Sequence, residues 1–381
     1  MRATIGDVGD SGDAAAKARL AARRTGRMVP APGPANVARP GGRPYAAAML
    51  RRLALLVVFA APAVAAPGYR ELALDMPHRS EAVTVHLWYP AADPAAPTVS
   101  LGRNAMFVGT AVIADAPPAP GPHPVIVLSH GSGGSGDKMG WLAVPLAEDG
   151  WIVAAPNHPG TTSGDSLPER TVMPWERTAD MRAVLDHLAR DAPGGAAGGA
   201  VAIGFSLGGH TALRLAGARA SKAAFLDYCD RNAGRLDCGW LAEGGLDLGA
   251  IDAARYEAPD GDPRVRAAIA IDPALSAAMT PESLAAIAVP VLTLGMGADG
   301  TVPEGIDAVP AAARIPGARH VDVEGGVHFS MLGACRPLGR IVIGLMEDEP
   351  ICADPDRPRA EVQAAVLDEV RGFLSEQLGA P

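Results

Sequence analysis

Aromatic residues make up only 4% of this 381-residue chain, and lysine occurs only as Lys17, Lys138 and Lys222. So few aromatics argue against a platform on which the bases of single-stranded nucleic acid could stack. Positive charge is concentrated in residues 1–65, which hold ten Lys/Arg and three Asp/Glu, so the remainder has a net charge of −16. A surface that acidic repels a phosphate backbone, and nucleic-acid binding is therefore excluded.

Long apolar runs are also lacking. The run Leu53 to Ala61 is much shorter than the roughly 20 residues that a membrane-spanning helix needs, so no stable membrane span is expected. Two arginines precede this run and Ala63-Val64-Ala65 follows it, which is the order of a cleaved signal peptide over residues 49–65. Residues 1–48 show no apolar periodicity, and we expect them to be disordered or to precede the true start at Met49.

Cysteine is scarce, with four residues and no Cys-x-x-Cys spacing, which argues against a structural zinc or a thioredoxin-like site. An exported chain meets an oxidising compartment, so the signal pattern predicts a periplasmic or secreted protein whose cysteines form disulfides. Proximity along the chain favours the pairs Cys229–Cys238 and Cys335–Cys352 among the three possible connectivities.

The composition after the signal is that of a folded protein, with 48% hydrophobic and 20% charged residues over the whole chain. Two extended segments, at 70–76 and 82–89, predict an opening antiparallel hairpin. Short, continuously apolar runs then alternate with helical stretches, which predicts a doubly wound, mostly parallel sheet with helices on both faces. The runs are Val125–Leu128, Trp151–Ala155, Val201–Ile203, Val265–Ile271, Val291–Leu294 and His320–Val323. We expect one α/β domain over 66–381, with a surface insertion around 229–262.

The strongest chemical signal is Gly204-Phe205-Ser206-Leu207-Gly208, which lies between a predicted strand and a predicted helix. A Gly-x-Ser-x-Gly sequence in that setting makes a sharp turn that presents the serine hydroxyl above the sheet. Ser206 is therefore the predicted nucleophile. A serine at its ordinary pKa is a weak nucleophile, so a base and an orienting carboxylate must accompany it.

His328 lies in the loop after the last predicted strand, where the base of such a site belongs, and is the predicted base. Two carboxylates can supply the acid. Asp299 follows the strand at 291–294 and is favoured, while Asp272, which ends the preceding strand, is the alternative.

A Gly-rich loop, Ser129-His130-Gly131-Ser132-Gly133-Gly134, directly follows the strand at 125–128. Backbone N–H groups in such a loop can stabilise the oxyanion of a tetrahedral intermediate, and we predict that the N–H groups of Ser132 and Leu207 do so. A phosphate-binding loop is excluded because Asp137 stands where its lysine is required.

Taken together, these motifs, with Ala155-Pro156-Asn157-His158-Pro159-Gly160, resemble those of α/β-hydrolases over roughly residues 70–378. The chain looks most similar to bacterial predicted dienelactone hydrolases, which are related to plasma platelet-activating factor acetylhydrolase and, more distantly, to cutinase-like polyester esterases. Authentic dienelactone hydrolases use a cysteine nucleophile, whereas this chain has Ser206. In the acetylhydrolase branch the acid follows the earlier strand, which corresponds to Asp272.

The sequence thus predicts an exported serine ester hydrolase that needs no cofactor or metal and acts through an acyl-enzyme on small or lipid-like esters. A peptidase or thioesterase with the same residues, and a non-catalytic binding protein of the same fold, are the alternatives. The acyl length, the alcohol group and the oligomeric state are not predicted.

Overall fold

A computed structural model describes residues 66–298, 300–346, 351–354 and 356–379. The segments predicted as an extension (1–48) and a signal peptide (49–65) lie outside the described residues, as does Asp299. None of the described helices is long and apolar enough to cross a membrane.

Twelve strands and eleven α-helices are described. The strands are β1 (Gly68–Leu74), β2 (Val83–Tyr89), β3 (Val99–Leu101), β4 (Thr110–Ala114), β5 (His123–Ser129), β6 (Ile152–Pro156), β7 (Thr161–Thr162), β8 (Asp165–Ser166), β9 (Ala196–Phe205), β10 (Val265–Ile271), β11 (Val291–Met296) and β12 (Arg319–Val323). The helices are α1 (Gly140–Glu148), α2 (Pro168–Thr171), α3 (Pro174–Asp191), α4 (Leu207–Leu215), α5 (Lys222–Arg231), α6 (Leu236–Glu243), α7 (Ala253–Tyr256), α8 (Pro281–Ala285), α9 (Val309–Ala312), α10 (Pro337–Met346) and α11 (Arg359–Leu378).

Ten strands form one sheet in the order β12-β11-β10-β9-β5-β6-β2-β1-β4-β3. The six strands from β12 to β6 are parallel, and they are the six apolar runs predicted from the sequence. β1 and β2 form the predicted antiparallel hairpin, with Gly68 opposite Tyr89 and Leu74 opposite Val83. The mostly parallel, doubly wound sheet is therefore confirmed.

Helices cover both faces of the sheet because successive side chains of a strand point to opposite faces. Ile126 and Leu128 of β5 pack in the cluster that includes α1 and α11. Val125 and Val127 of the same strand pack in a second cluster with α3 and α4. Burial on both faces explains why these strands are continuously apolar rather than alternating.

The segment after α4 carries α5, α6 and α7, which pack around their own apolar cluster of Phe225, Tyr228, Leu241 and Tyr256. The disulfide Cys229–Cys238 joins α5 to α6, and a second disulfide joins Cys335 to Cys352. Both pairs are those predicted from proximity in the sequence. We refer to residues 222–256 as the cap segment.

Candidate active site

Ser206 stands at the sharp turn between β9 and α4. Its backbone has φ 56° and ψ −120°, a strained conformation for a residue other than glycine. The turn is tight enough that a Cβ on Gly204 would lie 1.9 Å from the carbonyl oxygen of Gly208. Ser206 N–H donates to the Ile271 carbonyl at 2.9 Å, which fixes the turn against the end of β10. The serine hydroxyl is thus held at the carboxyl edge of the sheet and at the N-terminus of a helix.

His328 reaches Ser206 from the other side of this edge. It begins a 3₁₀ turn, His328–Met331, after β12, and its Nε2 lies 3.1 Å from Ser206 Oγ. The ring packs against Phe205, with the ring centroids 4.6 Å apart. An imidazole nitrogen at this distance can accept the hydroxyl proton of a serine.

The carboxylate that orients His328 in the structure is that of Asp272. Its Oδ2 lies 2.9 Å from His328 Nδ1, and its Oδ1 accepts the N–H of Met296 at 2.7 Å. Asp272 follows β10 directly, in a left-handed conformation with φ 41°, and its side chain is fully buried. The sequence analysis favoured Asp299, which lies outside the described residues. In the structure the Nδ1 of His328 is bonded to Asp272, the residue that the sequence analysis gave as the alternative acid.

The Gly-rich loop after β5 lies directly against this turn. A Cβ on Gly131 would come within 3.1 Å of the Ser206 Cβ, and one on Gly208 would lie 1.9 Å from the Ser129 carbonyl oxygen. Glycine at both positions is what allows the loop to approach the serine closely. Leu207 N–H is among the first N–H groups of α4, which have no acceptor within the helix.

His130 holds the peptide group that carries the Ser132 N–H. Its Nδ1–H donates to the Gly131 carbonyl at 2.7 Å, and that carbonyl belongs to the same peptide group as the Ser132 N–H. Its Nε2 accepts the N–H of His158 at 3.2 Å. Burial, with the charge of Arg177, lowers the pKa of His130 well below its usual range, so the ring is neutral and keeps both bonds.

A cavity of about 590 Å³ opens above Ser206 and His328. Its wall includes Ser132 and Leu207, so both predicted oxyanion residues face the same space as the nucleophile. The surface that lines the cavity is mostly apolar. The cap segment supplies six of the wall residues: Tyr228, Asn232, Arg235, Asp237, Trp240 and Leu241. The cap segment thus contributes to the wall of the cavity above Ser206.

The site thus combines a serine on a strand-to-helix turn with a pocket between a parallel sheet and a helical cap. The sequence profile described as the α/β-hydrolase fold matches residues 124–227. A ferulic acid esterase from Streptomyces cinnamoneus is similar in structure, with a TM-score of 0.54 and 22% identity over 84% of this chain and 91% of the esterase. This chain has the α/β-hydrolase fold.

Two further solved structures match with lower TM-scores. A dienelactone hydrolase from Anabaena variabilis has a TM-score of 0.44 and 14% identity over 81% of this chain and 99% of that one. Esterase 2 from Thermogutta terrifontis has a TM-score of 0.45 and 16% identity over 82% and 96%. No curated protein sequence matches the chain.

The protein also contains a second Ser-His-Asp arrangement, which the sequence analysis missed. Ser129 Oγ lies 3.0 Å from His158 Nε2, and His158 Nδ1 lies 2.8 Å from Asp180 Oδ2. All three side chains are fully buried. Arg79 donates to both oxygens of Asp180, at 2.8 and 2.7 Å.

Proposed function

We propose that the protein is an exported serine carboxylic ester hydrolase. The observation that supports this most strongly is the continuous arrangement Ser206–His328–Asp272, with distances of 3.1 and 2.9 Å, at the floor of a largely apolar cavity. This is the arrangement that nucleophilic acyl transfer requires.

In the proposed mechanism Ser206 Oγ attacks the ester carbonyl while His328 Nε2 accepts its proton. Asp272 holds the imidazole with its Nδ1–H directed to the carboxylate and stabilises the imidazolium that forms. The N–H groups of Ser132 and Leu207 bind the oxyanion. His328 then returns the proton to the leaving alcohol, and water hydrolyses the acyl-enzyme by the same steps.

The cavity suggests an ester with an apolar acyl or alcohol group. Trp240, Leu241, Leu275, Ile306 and Phe329 contribute apolar walls. Small and lipid-like esters fit this lining. The similar ferulic acid esterase adds aromatic acyl esters to the candidates. Kinship with the acetylhydrolase branch is likewise a proposal, supported by an acid placed after β10.

The test is a rate profile over p-nitrophenyl esters of increasing acyl length, with methyl ferulate, one peptide and one thioester alongside. We expect hydrolysis of the esters and covalent labelling of Ser206 by an organophosphonate. Ser206→Ala should lose both, with kcat lower by about 10⁶. An unlabelled Ser206 with no hydrolysis of any ester would indicate a binding protein, and preference for the peptide or thioester would change the substrate class.

Export is supported by the signal pattern at 49–65 and by the two disulfides. We expect the protein recovered from the periplasm or medium to begin near Ala66. N-terminal sequencing tests this, and a chain that keeps its first 65 residues there would contradict a cleaved signal.

A further inference from the structure

Arg177 of α3 is a buried cation whose donors reach three elements around the Gly-rich loop at residues 129–134, which we call the oxyanion loop. Its guanidinium donates to Ser129 Oγ at 3.1 Å and to the His130 carbonyl, both at the end of β5. It donates to Thr161 Oγ1 at 2.6 Å in β7 and to Thr211 Oγ1 at 3.4 Å in α4. Only 1% of the residue is exposed.

Two of these acceptors, Thr161 and Thr211, are linked to the segments that carry the proposed oxyanion donors. Thr161 also accepts the N–H of Gly133 through its carbonyl, at 2.9 Å, beside Ser132. Thr211 donates to the carbonyl of Leu207 at 3.0 Å. One side chain therefore connects the loop that carries the first donor with the helix that carries the second.

The charge of Arg177 is not paired directly. Among the described residues, no carboxylate oxygen lies within 4 Å of its nitrogen atoms. Burial lowers the pKa of Arg177 to about 9, so it remains protonated at neutral pH. Its nearest link to a negative charge runs through the buried Ser129–His158–Asp180 arrangement.

The hydrogen bonds of this arrangement allow one assignment of donors and acceptors. The Asp180 carboxylate can only accept, so His158 donates from Nδ1. Neutral His158 must then accept at Nε2 from the Ser129 hydroxyl, which in turn accepts from Arg177. Burial and the charge of Arg177 lower the pKa of His158 to about 4, which keeps it neutral. The hydroxyl of Ser129 is thus fixed from both sides.

We propose that Arg177, supported by the Ser129–His158–Asp180 arrangement, is a positioning residue that holds the oxyanion loop at its working distance from Ser206. The inference rests on the proposed ester hydrolysis. A displacement of about 1 Å in such a site can lower a rate about 10²-fold. Replacing Arg177 should therefore reduce the stabilisation of the transition state more than the affinity for the substrate.

The experiment compares Arg177→Met and Arg177→Lys with the wild-type protein. Arg214→Met is the matched control, because Arg214 is equally buried but donates to Asp260 and to the carbonyls of Tyr256 and Ala258, outside the oxyanion loop. Measurements are kcat and KM with p-nitrophenyl butyrate, the inhibition constant of a trifluoromethyl ketone, which forms a tetrahedral oxyanion adduct, and the melting temperature.

We expect Arg177→Met to lower kcat about 10²-fold and to lower the affinity for the trifluoromethyl ketone by a similar factor, while KM stays within about threefold of the wild-type value. Arg177→Lys should recover at least about tenfold of the lost kcat. Arg214→Met should lower the melting temperature while leaving kcat within about threefold. If Arg177→Met does not fold, Ser129→Ala replaces it, with a drop in kcat of about tenfold expected.

The inference is overturned if the Arg177 variants, or Ser129→Ala in their place, lose stability as Arg214→Met does but keep kcat and ketone affinity. That outcome is distinct from failure of the proposed function. Such a failure would be seen in the wild-type protein itself, as a lack of ester hydrolysis and of Ser206 labelling.

Discussion

Replacing Asp272 by Asn is the sharpest test of the catalytic arrangement. The amide is nearly isosteric, and its Oδ1 can keep the 2.7 Å bond from the Met296 N–H. Its NH₂ group would then face His328 Nδ1, 2.9 Å away in the native structure, as a donor. The imidazole would have to place its proton on Nε2, where it could no longer accept the proton of Ser206.

The wrong tautomer should lower kcat by about 10⁴, which corresponds to about 5.4 kcal/mol of transition-state stabilisation. KM should change by less than about threefold, because the carboxylate is fully buried behind His328 and does not line the cavity. The assay is steady-state hydrolysis of p-nitrophenyl butyrate, with Asp299→Asn as the matched variant. A loss of activity in Asp299→Asn, with Asp272→Asn nearly unaffected, would refute the assignment.

Three further outcomes are expected. Gly208→Ala should prevent folding or abolish activity, as judged by circular dichroism and ester hydrolysis, because its Cβ would lie 1.9 Å from the Ser129 carbonyl oxygen. Burial and the charge of Arg214 lower the pKa of His210 to about 3, so the folded protein resists protonating it while the unfolded chain does not. Neutral His210 should therefore not reduce the free energy of unfolding above pH 6.5, whereas between pH 6.5 and 3 it should reduce that free energy by about 1.4 kcal/mol for each pH unit. Urea titrations at several pH values should show a smaller pH dependence in His210→Gln. Replacing both Cys229 and Cys238 by Ser should lower the free energy of unfolding by roughly 2.5 kcal/mol, given the nine-residue separation. It should also change the acyl-length profile, because this disulfide lies in the cap segment. Removing the Cys335–Cys352 disulfide should lower stability without changing that profile.

The elements of the sheet could be predicted because their signals are local. Each parallel strand is buried on both faces and reads as a short apolar run. The turn at Ser206 was equally readable, since its two glycines are required by contacts within a few residues and with the neighbouring loop. Local patterns of this kind place Ser206 and His328 at one edge of the sheet.

Local sequence patterns do not distinguish the two candidate acids. Asp272 follows β10 and Asp299 comes after β11, so both positions lie beyond the carboxyl ends of neighbouring strands. What favours Asp272 in the structure is a left-handed backbone conformation and a bond from Met296 N–H, neither of which has a sequence signature. The resemblance to the acetylhydrolase branch implied Asp272, the carboxylate that contacts His328 in the structure.

Arg177 did leave a signal in the sequence. The buried apolar face of α3, which includes Met181, Val184 and Leu188, extends one turn towards the N-terminus through Arg177 and Asp180. Charged residues on a buried helix face must be paired or fully hydrogen-bonded. Extending the pattern by that turn would have marked both as members of a buried network. The acceptors of Arg177 lie at the end of β5, in β7 and in α4, and only the folded chain brings them together.

The distances within the two Ser-His-Asp arrangements do not by themselves decide which serine can act as a nucleophile. Their distances are nearly the same, at 3.1 and 2.9 Å around His328 and at 3.0 and 2.8 Å around His158. Ser206 opens onto a cavity and stands at the start of a helix beside two N–H groups that can bind an oxyanion. Ser129 is fully buried, and its oxygen already accepts a bond from the Arg177 guanidinium, which withdraws electron density from the atom that would have to attack. Access to the cavity and the charge next to the serine oxygen therefore distinguish the two serines, and both differences support the proposal that Ser206 is the nucleophile.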